Sequence, residues 1–407
     1  MIEGINTLDR GDFHGKTVLV RVDLNLPMVS GTITDVYRLK QIIPTLKYLI
    51  QQQAKVVVIS HYGRPKGKFV ADMSLASLVN ELSVYLGTNV LFAVDVLSEF
   101  TIAQVRAMKN GEVILLENIR FHLEEEKNNQ AFAKDLSALG DVYVNDTFSC
   151  SHRAHASIVG IPKYLPSYCG LLLQSEIENI KKYTEGNIGK VMAITGGAKV
   201  STKIQLLRAL VDKADLLVIG GAMANTFLEA AGVSVGASLY EKECIPIALD
   251  VLRYAKQKKC KGLIPNDVVT SSALEEQEPF HVVPVSHVGN DDMILDVGPE
   301  FTSNIIEELH RVNTVIWNGP LGAAEYKPFD IATAMIARAI AGLTASGKLV
   351  SVAGGGDVVA SINAARLLDG FTYVSTGGGA FLEYLEGAKL PGIKALEDNV
   401  SVAKLRA

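Results

Sequence analysis

Short runs of aliphatic and β-branched residues recur along the chain, and between them apolar positions fall three and four residues apart. The runs are Val18–Val22, Lys55–Ser60, Val113–Glu117, Val142–Asn145, Val191–Thr195, Asp215–Gly220, Leu263–Asn266, Thr314–Asn318, Lys348–Ala353 and Phe371–Ser375. That alternation of periods predicts repeated strand–helix–strand units. Runs such as KVVVIS and DLLVIG are continuously apolar, the pattern of parallel strands buried on both faces. The expected fold class is therefore α/β, with two doubly wound (Rossmann-like) parallel-sheet domains. A polar helical segment, Gln174–Glu185, ends at Gly186 and separates two blocks of strands. It reads as an interdomain hinge helix over 174–186, with a first domain over 1–173 and a second over 187–386; a surface helix within one domain is the other reading.

Composition fits this division. At 407 residues and 48% hydrophobic content the chain is too long for one compact core. Charged residues make up 20%, with 39 Lys+Arg against 44 Asp+Glu and a net charge of −5, which argues against disorder and against a nucleic-acid-binding surface. Acidic and basic residues are equal in number over residues 1–173, so any anion site there must be local. Cys150, Cys169, Cys244 and Cys260 form no C-x-x-C pair and read as free thiols in a reducing compartment, not as a zinc site. The opening MIEGINTLDRGDF lacks the basic and apolar regions of an export signal, and no apolar run is long enough to span a bilayer, so neither export nor a membrane association is expected.

In sheets of this kind ligands bind beyond the carboxyl ends of the strands. In the first half those ends carry Arg21, Asp23 and Asn25; His61, Gly63 and Arg64; Arg120 and His122; and Ser149, His152, Arg153 and His155, with Arg38 beside Asp35. Guanidinium groups bind phosphate and carboxylate bidentately and do not titrate away, so their recurrence at strand ends implies a small polyanionic ligand. A metal reading of His61, His152 and His155 is poor, because the arginines would repel a cation. Asp23 and Asn25 are candidates for holding ligand hydroxyls, or for ending a strand in Asx turns. The run Glu124–Glu126 reads as a solvated helix start.

The second half repeats a strand, then glycines, then a helix: Gly196-Gly197-Ala198-Lys199, Gly220-Gly221, Gly354-Gly355-Gly356-Asp357 and Gly377-Gly378-Gly379. Exposed N–H groups at helix starts, approached closely through glycine, cradle a di- or triphosphate. Neither G-x-G-x-x-G nor a complete Walker A is present, which weakens the dehydrogenase and P-loop readings. Lys199 and Lys203, four apart, share one helix face if Val200 onward is helical, and such a pair is tolerated around an anion. Asp357 is a candidate N-cap and a candidate Mg²⁺ ligand. Trp317-Asn318-Gly319-Pro320 and Glu325 are expected to form a wall and a ribose-hydroxyl acceptor.

These segments resemble one family, phosphoglycerate kinase. RVDLNLP (21–27), SHYGRP (60–65), LLENIRFH (115–122), NDTFSCSHRAHAS (145–157), GGAKVSTK (196–203), GGAMANTF (220–227), WNGPLG (317–322), GGGDVVA (354–360) and STGGGAFLE (375–383) carry the resemblance over nearly the whole chain, in the family's order. It implies a cytoplasmic, monomeric, hinge-bending glycolytic enzyme moving a phosphoryl group between 1,3-bisphosphoglycerate and ADP, with 3-phosphoglycerate and ATP as products. It implies triose ligands Asp23, Asn25, Arg38, His61, Gly63, Arg64, Arg120 and Arg153. The implied nucleotide ligands are Gly197, Lys203, Gly221, Asn318, Pro320, Glu325, Gly355, Gly356, Asp357 and Val358, with Asp357 holding Mg²⁺. Catalytic roles fall to Arg38, Lys199, Lys203 and Gly378 in the 376–379 loop. Residues 387–407 are expected to return to the first domain. Val358 stands where the family usually has Thr, Ala324 where it has Phe, and Tyr62 where it has Leu. The first removes a hydroxyl near phosphate, so modest weakening is expected. The acceptor carboxylate is ionised at neutral pH, so the mechanism needs alignment and charge neutralisation and no general base. A nicotinamide oxidoreductase and an idle nucleotide-binding protein are the competing readings. The first lacks its third glycine, and the second does not explain why both lysines, Arg38 and Asp357 are present.

Overall fold

The computed structural model describes residues 4–29, 32–186, 188–275 and 278–406; the expected start of the second domain, Asn187, lies outside them. The chain divides into two compact units, Met1–Glu178 with Lys389–Ala407, and Asn179–Ala388.

The first unit is built on strands β1 (Thr17–Arg21), β4 (Lys55–Ile59), β5 (Val90–Ala93), β6 (Val113–Leu116), β7 (Val142–Asn145) and β8 (Ser167–Cys169), with a small hairpin β2 (Met28–Val29) and β3 (Thr32–Ile33). The six long strands form one parallel sheet in the order β5-β6-β4-β1-β7-β8. Its helices are α1 (Tyr37–Gln51), α2 (Val79–Leu86), α3 (Glu99–Ala107), α4 (Leu123–Glu126), α5 (Gln130–Ser137) and the first half of α6 (Leu171–Thr184). Alternate strand residues enter different cores. Val18, Val20, Val56 and Val58 pack with Leu39 and Leu46 of α1 and Leu82 of α2. Leu19, Val57 and Ile114 pack with Val105 of α3 and Phe132 of α5. Both sheet faces are thus covered, which is why these strands are apolar without alternation. Local chemistry sets the helix ends: Ser98 and Asn129 accept the N–H groups of Thr101 and Phe132 as N-caps, and Gly87 at φ 73° closes α2.

The second unit carries β9 (Val191–Thr195), β10 (Leu216–Ile219), β11 (Lys261–Leu263), β12 (Asp267–Ser271), β13 (Phe280–Pro284), β14 (Met293–Val297), β15 (Thr314–Asn318), β16 (Val350–Ala353) and β17 (Tyr373–Val374). Its parallel sheet runs β11-β10-β9-β15-β16-β17. Helices α7 (Ile204–Lys213), α8 (Gly221–Ala230), α9 (Ile245–Lys258), α10 (Pro299–Leu309), α11 (Ile331–Ala345), α12 (Gly356–Ala364) and α13 (Gly378–Leu385) connect the strands. A separate antiparallel sheet, β13-β12-β14, was not expected. Its outer strand, with Phe280 and Val282 exposed and prolines at 279 and 284, has neither the burial nor the composition of a sheet interior. Helix α14 (Pro391–Arg406) belongs to the first unit, where Asn399 accepts the Ser167 N–H at 3.0 Å and donates to the carbonyls of Pro162 and Leu165.

In each sheet the chain starts at a central strand and later returns to its other side, making a switch point between β1 and β7 in the first unit and between β9 and β15 in the second. The carboxyl ends of neighbouring strands diverge there and leave room for a ligand.

Candidate active site

In the first unit, register places Arg21 beside Ile59 and Asn145, so the segments after β1, β4 and β7 start side by side. Asp23 is the hub. Its carboxylate accepts Ser149 Oγ–H at 2.5 Å and the Asn25 N–H at 3.0 Å, and lies 3.6 Å from the Arg38 guanidinium. Burial pushes its pKa up, but His61, Arg38 and these hydrogen bonds outweigh it and leave Asp23 below the usual carboxylate range. Asn25 Oδ1 accepts the Gly63 N–H at 2.9 Å, and Arg38 donates to the Asn25 carbonyl at 3.1 Å. Gly63, at φ 62°, adopts the left-handed backbone that the 61–65 turn requires.

Arg120 is buried. It donates to the Gly63 carbonyl at 2.8 Å and faces Glu126 at 3.4 Å, while its Nη2 has no partner among the described residues. A buried guanidinium N–H without an acceptor is costly, and a bound anion removes that cost. Arg153 bonds His152 Nε2 at 3.2 Å, leaving His152 Nδ1 buried and unpaired as well. His61 is buried, and burial together with the charges of Arg21, Arg120 and Arg153 holds its pKa well below the ordinary value, against the pull of Asp23. His155 is likewise depressed, to about 3, by burial and the same arginines. The histidines are thus neutral at physiological pH.

Asp23, His61 and Cys150 are close enough to hold a cation, the one such trio among the described residues. Arg38 faces the Asp23 carboxylate, and Arg21 faces His61 Nδ1. Cationic groups so placed oppose a metal ion at this trio. A cleft of about 700 Å³ elsewhere in this unit, beside α14 and lined by Tyr164, Tyr168, Pro162 and Pro166, contains no arginine and does not share this chemistry. Arg64 is exposed and pairs with none of the cluster among the described residues.

The glutamate run does start a helix, with Glu124 and Glu126 exposed, but Glu125 departs from the solvated reading. Glu125 is fully buried, accepting the Ser157 N–H and Oγ–H at 2.8 and 2.5 Å, and Glu126 faces Arg120. Ser157 and Glu125 are site-supporting residues that sequence reasoning passed over, and Arg21, read there as one of the anion-binding arginines, instead has its donors on Ser157, the Val22 carbonyl and His61. The signal available was a strand ending in arginine, since a charged residue inside an apolar run needs a buried partner.

In the second unit Lys203 and Asn318 join the glycine turns. Lys203 Nζ donates to the Gly196 carbonyl at 2.5 Å and to Asn318 Oδ1 at 2.8 Å, and Asn318 Nδ2 donates to the Gly354 carbonyl at 2.5 Å. Burial lowers the Lys203 pKa to about 8, against the opposing charge of Asp357. Glycine is required by contact: a Cβ on Gly196 would lie 1.8 Å from the Pro320 carbonyl oxygen, and one on Gly221 would lie 2.6 Å from Gly197 N. The Gly196 and Gly221 N–H groups are already donated, to the carbonyls of Asn318 and Leu321. The phosphate-type donors are elsewhere. Helices α12 and α13 start at Gly356 and Gly378, and a Cβ on Gly378 would come within 3.8 Å of Gly356 N, so the two helix starts adjoin. Their first-turn N–H groups, including those of Asp357 and Val358, have no helical acceptor. Val358 is fully buried, so its position offers a backbone N–H whatever its side chain.

Two expectations fail here. Helix α7 begins at Ile204, with Lys203 as its N-cap and residues 200–203 in a turn, so Lys199 and Lys203 do not share a helix face. Ser201 bonds the Glu241 carboxylate through both its N–H and its hydroxyl, which holds that turn out of the helix. Trp317 is no ligand wall: it is fully buried in the core, its Nε1 donating to the Gly319 carbonyl at 2.9 Å. Lys199 and Glu325 are exposed.

Unit by unit, this is an α/β protein with clustered guanidinium groups in one unit and adjoining glycine-led helix starts in the other. The phosphoglycerate kinase family model matches residues 8–388. Curated phosphoglycerate kinases from Methylobacterium radiotolerans and Sinorhizobium medicae are each 49% identical to the chain, covering 95% and 96% of it and 97% and 98% of their own lengths. Among solved structures, the phosphoglycerate kinase of Coxiella burnetii aligns with a TM-score of 0.84 at 38% identity, over 97% of this chain and 99% of that one. That of Pyrococcus horikoshii aligns with a TM-score of 0.84 at 30% identity, over 98% and 100%. The chain belongs to the phosphoglycerate kinase family. Its activity is the phosphotransferase reaction of that family, a step of glycolysis.

Proposed function

We propose that the first unit binds 3-phosphoglycerate and 1,3-bisphosphoglycerate through Asp23, Asn25, Arg38, His61, Gly63, Arg64, Arg120 and Arg153. The second unit binds ADP and ATP through Gly197, Lys203, Gly221, Asn318, Pro320, Glu325 and the helix starts at Gly355, Gly356, Asp357, Val358 and Gly378. The observation that carries this reading is the buried Arg120 Nη2 with no acceptor, among neutral histidines and three further arginines. An anion must complete that site.

The Asp357 carboxylate is exposed in the first turn of α12, beside unpaired amides, and no group of three ligating side chains forms around it among the described residues. That donor set fits Mg²⁺, which takes one carboxylate and keeps water and phosphate oxygens for its remaining positions. When bound there, Mg²⁺ would neutralise charge on the nucleotide phosphates. This chain's own residues do the rest. Arg38 orients the triose acid's carboxylate, which is already ionised and needs no base. Lys199, Lys203 and the amides of the 376–379 loop stabilise the equatorial oxygens of the transferred phosphoryl group. Bringing both ligands out of water requires hinging around residues 174–186 and 376–389 in this reading. A cytoplasmic monomer completes the proposal. Isothermal titration of the whole protein with 3-phosphoglycerate tests the site: Arg120→Ala is expected to weaken binding at least about tenfold. Unchanged affinity in that variant would reject the assignment.

A further inference from the structure

Arg21 ends β1 and is wholly buried, yet none of its bonds goes to a carboxylate: Nε donates to Ser157 Oγ at 2.9 Å, Nη1 to the Val22 carbonyl, and Nη2 faces His61 Nδ1 at 3.1 Å. A guanidinium only donates hydrogen bonds and does not lose its proton in proteins. His61 Nδ1 must therefore be the acceptor, and the neutral ring carries its proton on Nε2. The other end of the chain is directed too. Ser157 Oγ already accepts from Arg21, so its own hydrogen goes to Glu125 Oε1 at 2.5 Å, while Glu125 Oε2 takes the Ser157 N–H at 2.8 Å. The donors run outward from Arg21: one arm ends on His61 Nδ1, and the other passes through Ser157 to a buried carboxylate. Asp23 does not compete for Nδ1, since its Oδ1 is 4.0 Å away, beyond hydrogen-bond range.

We infer that Arg21 is a positioning residue for triose-acid binding, holding His61 in the Nε2–H form so that the ring offers the triose acid a donor and never a lone pair. Glu125, through Ser157, holds Arg21 in turn. The inference rests on the reading of this cluster as the triose site. It gives the buried arginine, the buried glutamate and the neutral histidine a single purpose that none has alone. Among the described residues no protein group pairs with His61 Nε2, so its N–H is left for a ligand.

Long-range ¹H–¹⁵N correlation on the full chain labelled at histidine reads the tautomer directly at neutral pH. His61 is expected to carry its proton on Nε2, and a proton on Nδ1 would overturn the inference while leaving the site assignment intact. Adding 3-phosphoglycerate is expected to move the Nε2 resonance; an unmoved resonance would overturn the site reading and, with it, the role given to Arg21. In Arg21→Met the single tautomer should be lost, with KM for 3-phosphoglycerate rising about tenfold or more while kcat and the KM for ADP stay within about threefold. A folded Arg21→Met protein that keeps both tautomer and KM contradicts the inference. If that variant does not fold, the unmodified protein's spectrum decides the tautomer, and Arg21→Lys, retaining charge and donors, is expected to preserve it.

Discussion

Lys203 carries an ammonium in a place few lysines occupy, half-buried and bonded to a backbone carbonyl and to Asn318. Burial pulls its pKa down to about 8, so the free protein loses this charge as pH rises through that value. ADP affinity should weaken over the same range, because the neutral amine no longer attracts phosphate. Titration calorimetry between about pH 7 and 9.5 checks this, and a flat profile would contradict it. Arg38→Ala and Lys203→Ala should each cut turnover by about two orders of magnitude, roughly 3 kcal/mol of transition-state stabilisation. A steady-state loss below about threefold would remove either residue from the mechanism. At this scale the sequence was informative wherever chemistry sits at the end of an apolar run: Asp23, His61, Arg120 and Asn318 all do. It was misleading where a side chain's environment depends on distant partners. Glu125 looks like its solvated neighbours, and only the fold brings Ser157 to it, 32 residues on.

Helix and strand ends set the next level of constraint. Gly196 closes β9 against the Pro320 carbonyl, so Gly196→Ala must push apart the segments that hold Lys203 and Asn318. Nucleotide KM should rise about tenfold or more in that variant with the KM for 3-phosphoglycerate unchanged, as steady-state kinetics with each substrate varied would show. Asp146 caps α6, its Oδ1 accepting the N–H groups of Leu172 and Leu173 at 2.9 and 3.2 Å, while Asp296 accepts those of Val297 and Ala332. Burial raises both acids above their ordinary 3.8, Asp146 to about 7 and Asp296 to about 8, more than these donors lower them. The folded state then holds protons that the unfolded chain has released. Their stabilising contribution is complete below about pH 4 and is lost as pH rises towards 7 and 8, at no more than about 1.4 kcal/mol per pH unit for each group. Asp146→Asn should flatten its share of that slope in denaturant melts between about pH 5 and 8; an unchanged slope would mean that Asp146 is ionised throughout. The central strands were legible because both-face burial leaves an unmistakable apolar run. β5, β8, β13 and β14 were not, since they are short, half-exposed or bounded by proline, and β12, though buried, opens and closes on polar residues.

For the molecule as a whole, two anion-binding chemistries on two separately packed units predict separable binding. Arg153→Ala should weaken 3-phosphoglycerate binding without changing ADP affinity, and Asp357→Asn should raise the Mg²⁺ concentration needed for half-maximal rate about tenfold or more while sparing the triose acid's KM. Calorimetry with single ligands and a Mg²⁺ titration of rate would expose any crossover between the two sets. The parallel order of the motifs along the chain made this pairing readable. The place of the last helix was not dictated by any local pattern: the three hydrogen bonds of Asn399 in the first unit join partners more than 230 residues apart. A ribosome making this chain therefore finishes the second unit, continuous from Asn179 to Ala388, before it releases the piece that closes the first. Although domains generally fold in the order in which they emerge, the earlier-born half here must wait for the final residues, and nascent chains stalled after Ala388 should expose an incompletely sealed amino-terminal core to protease.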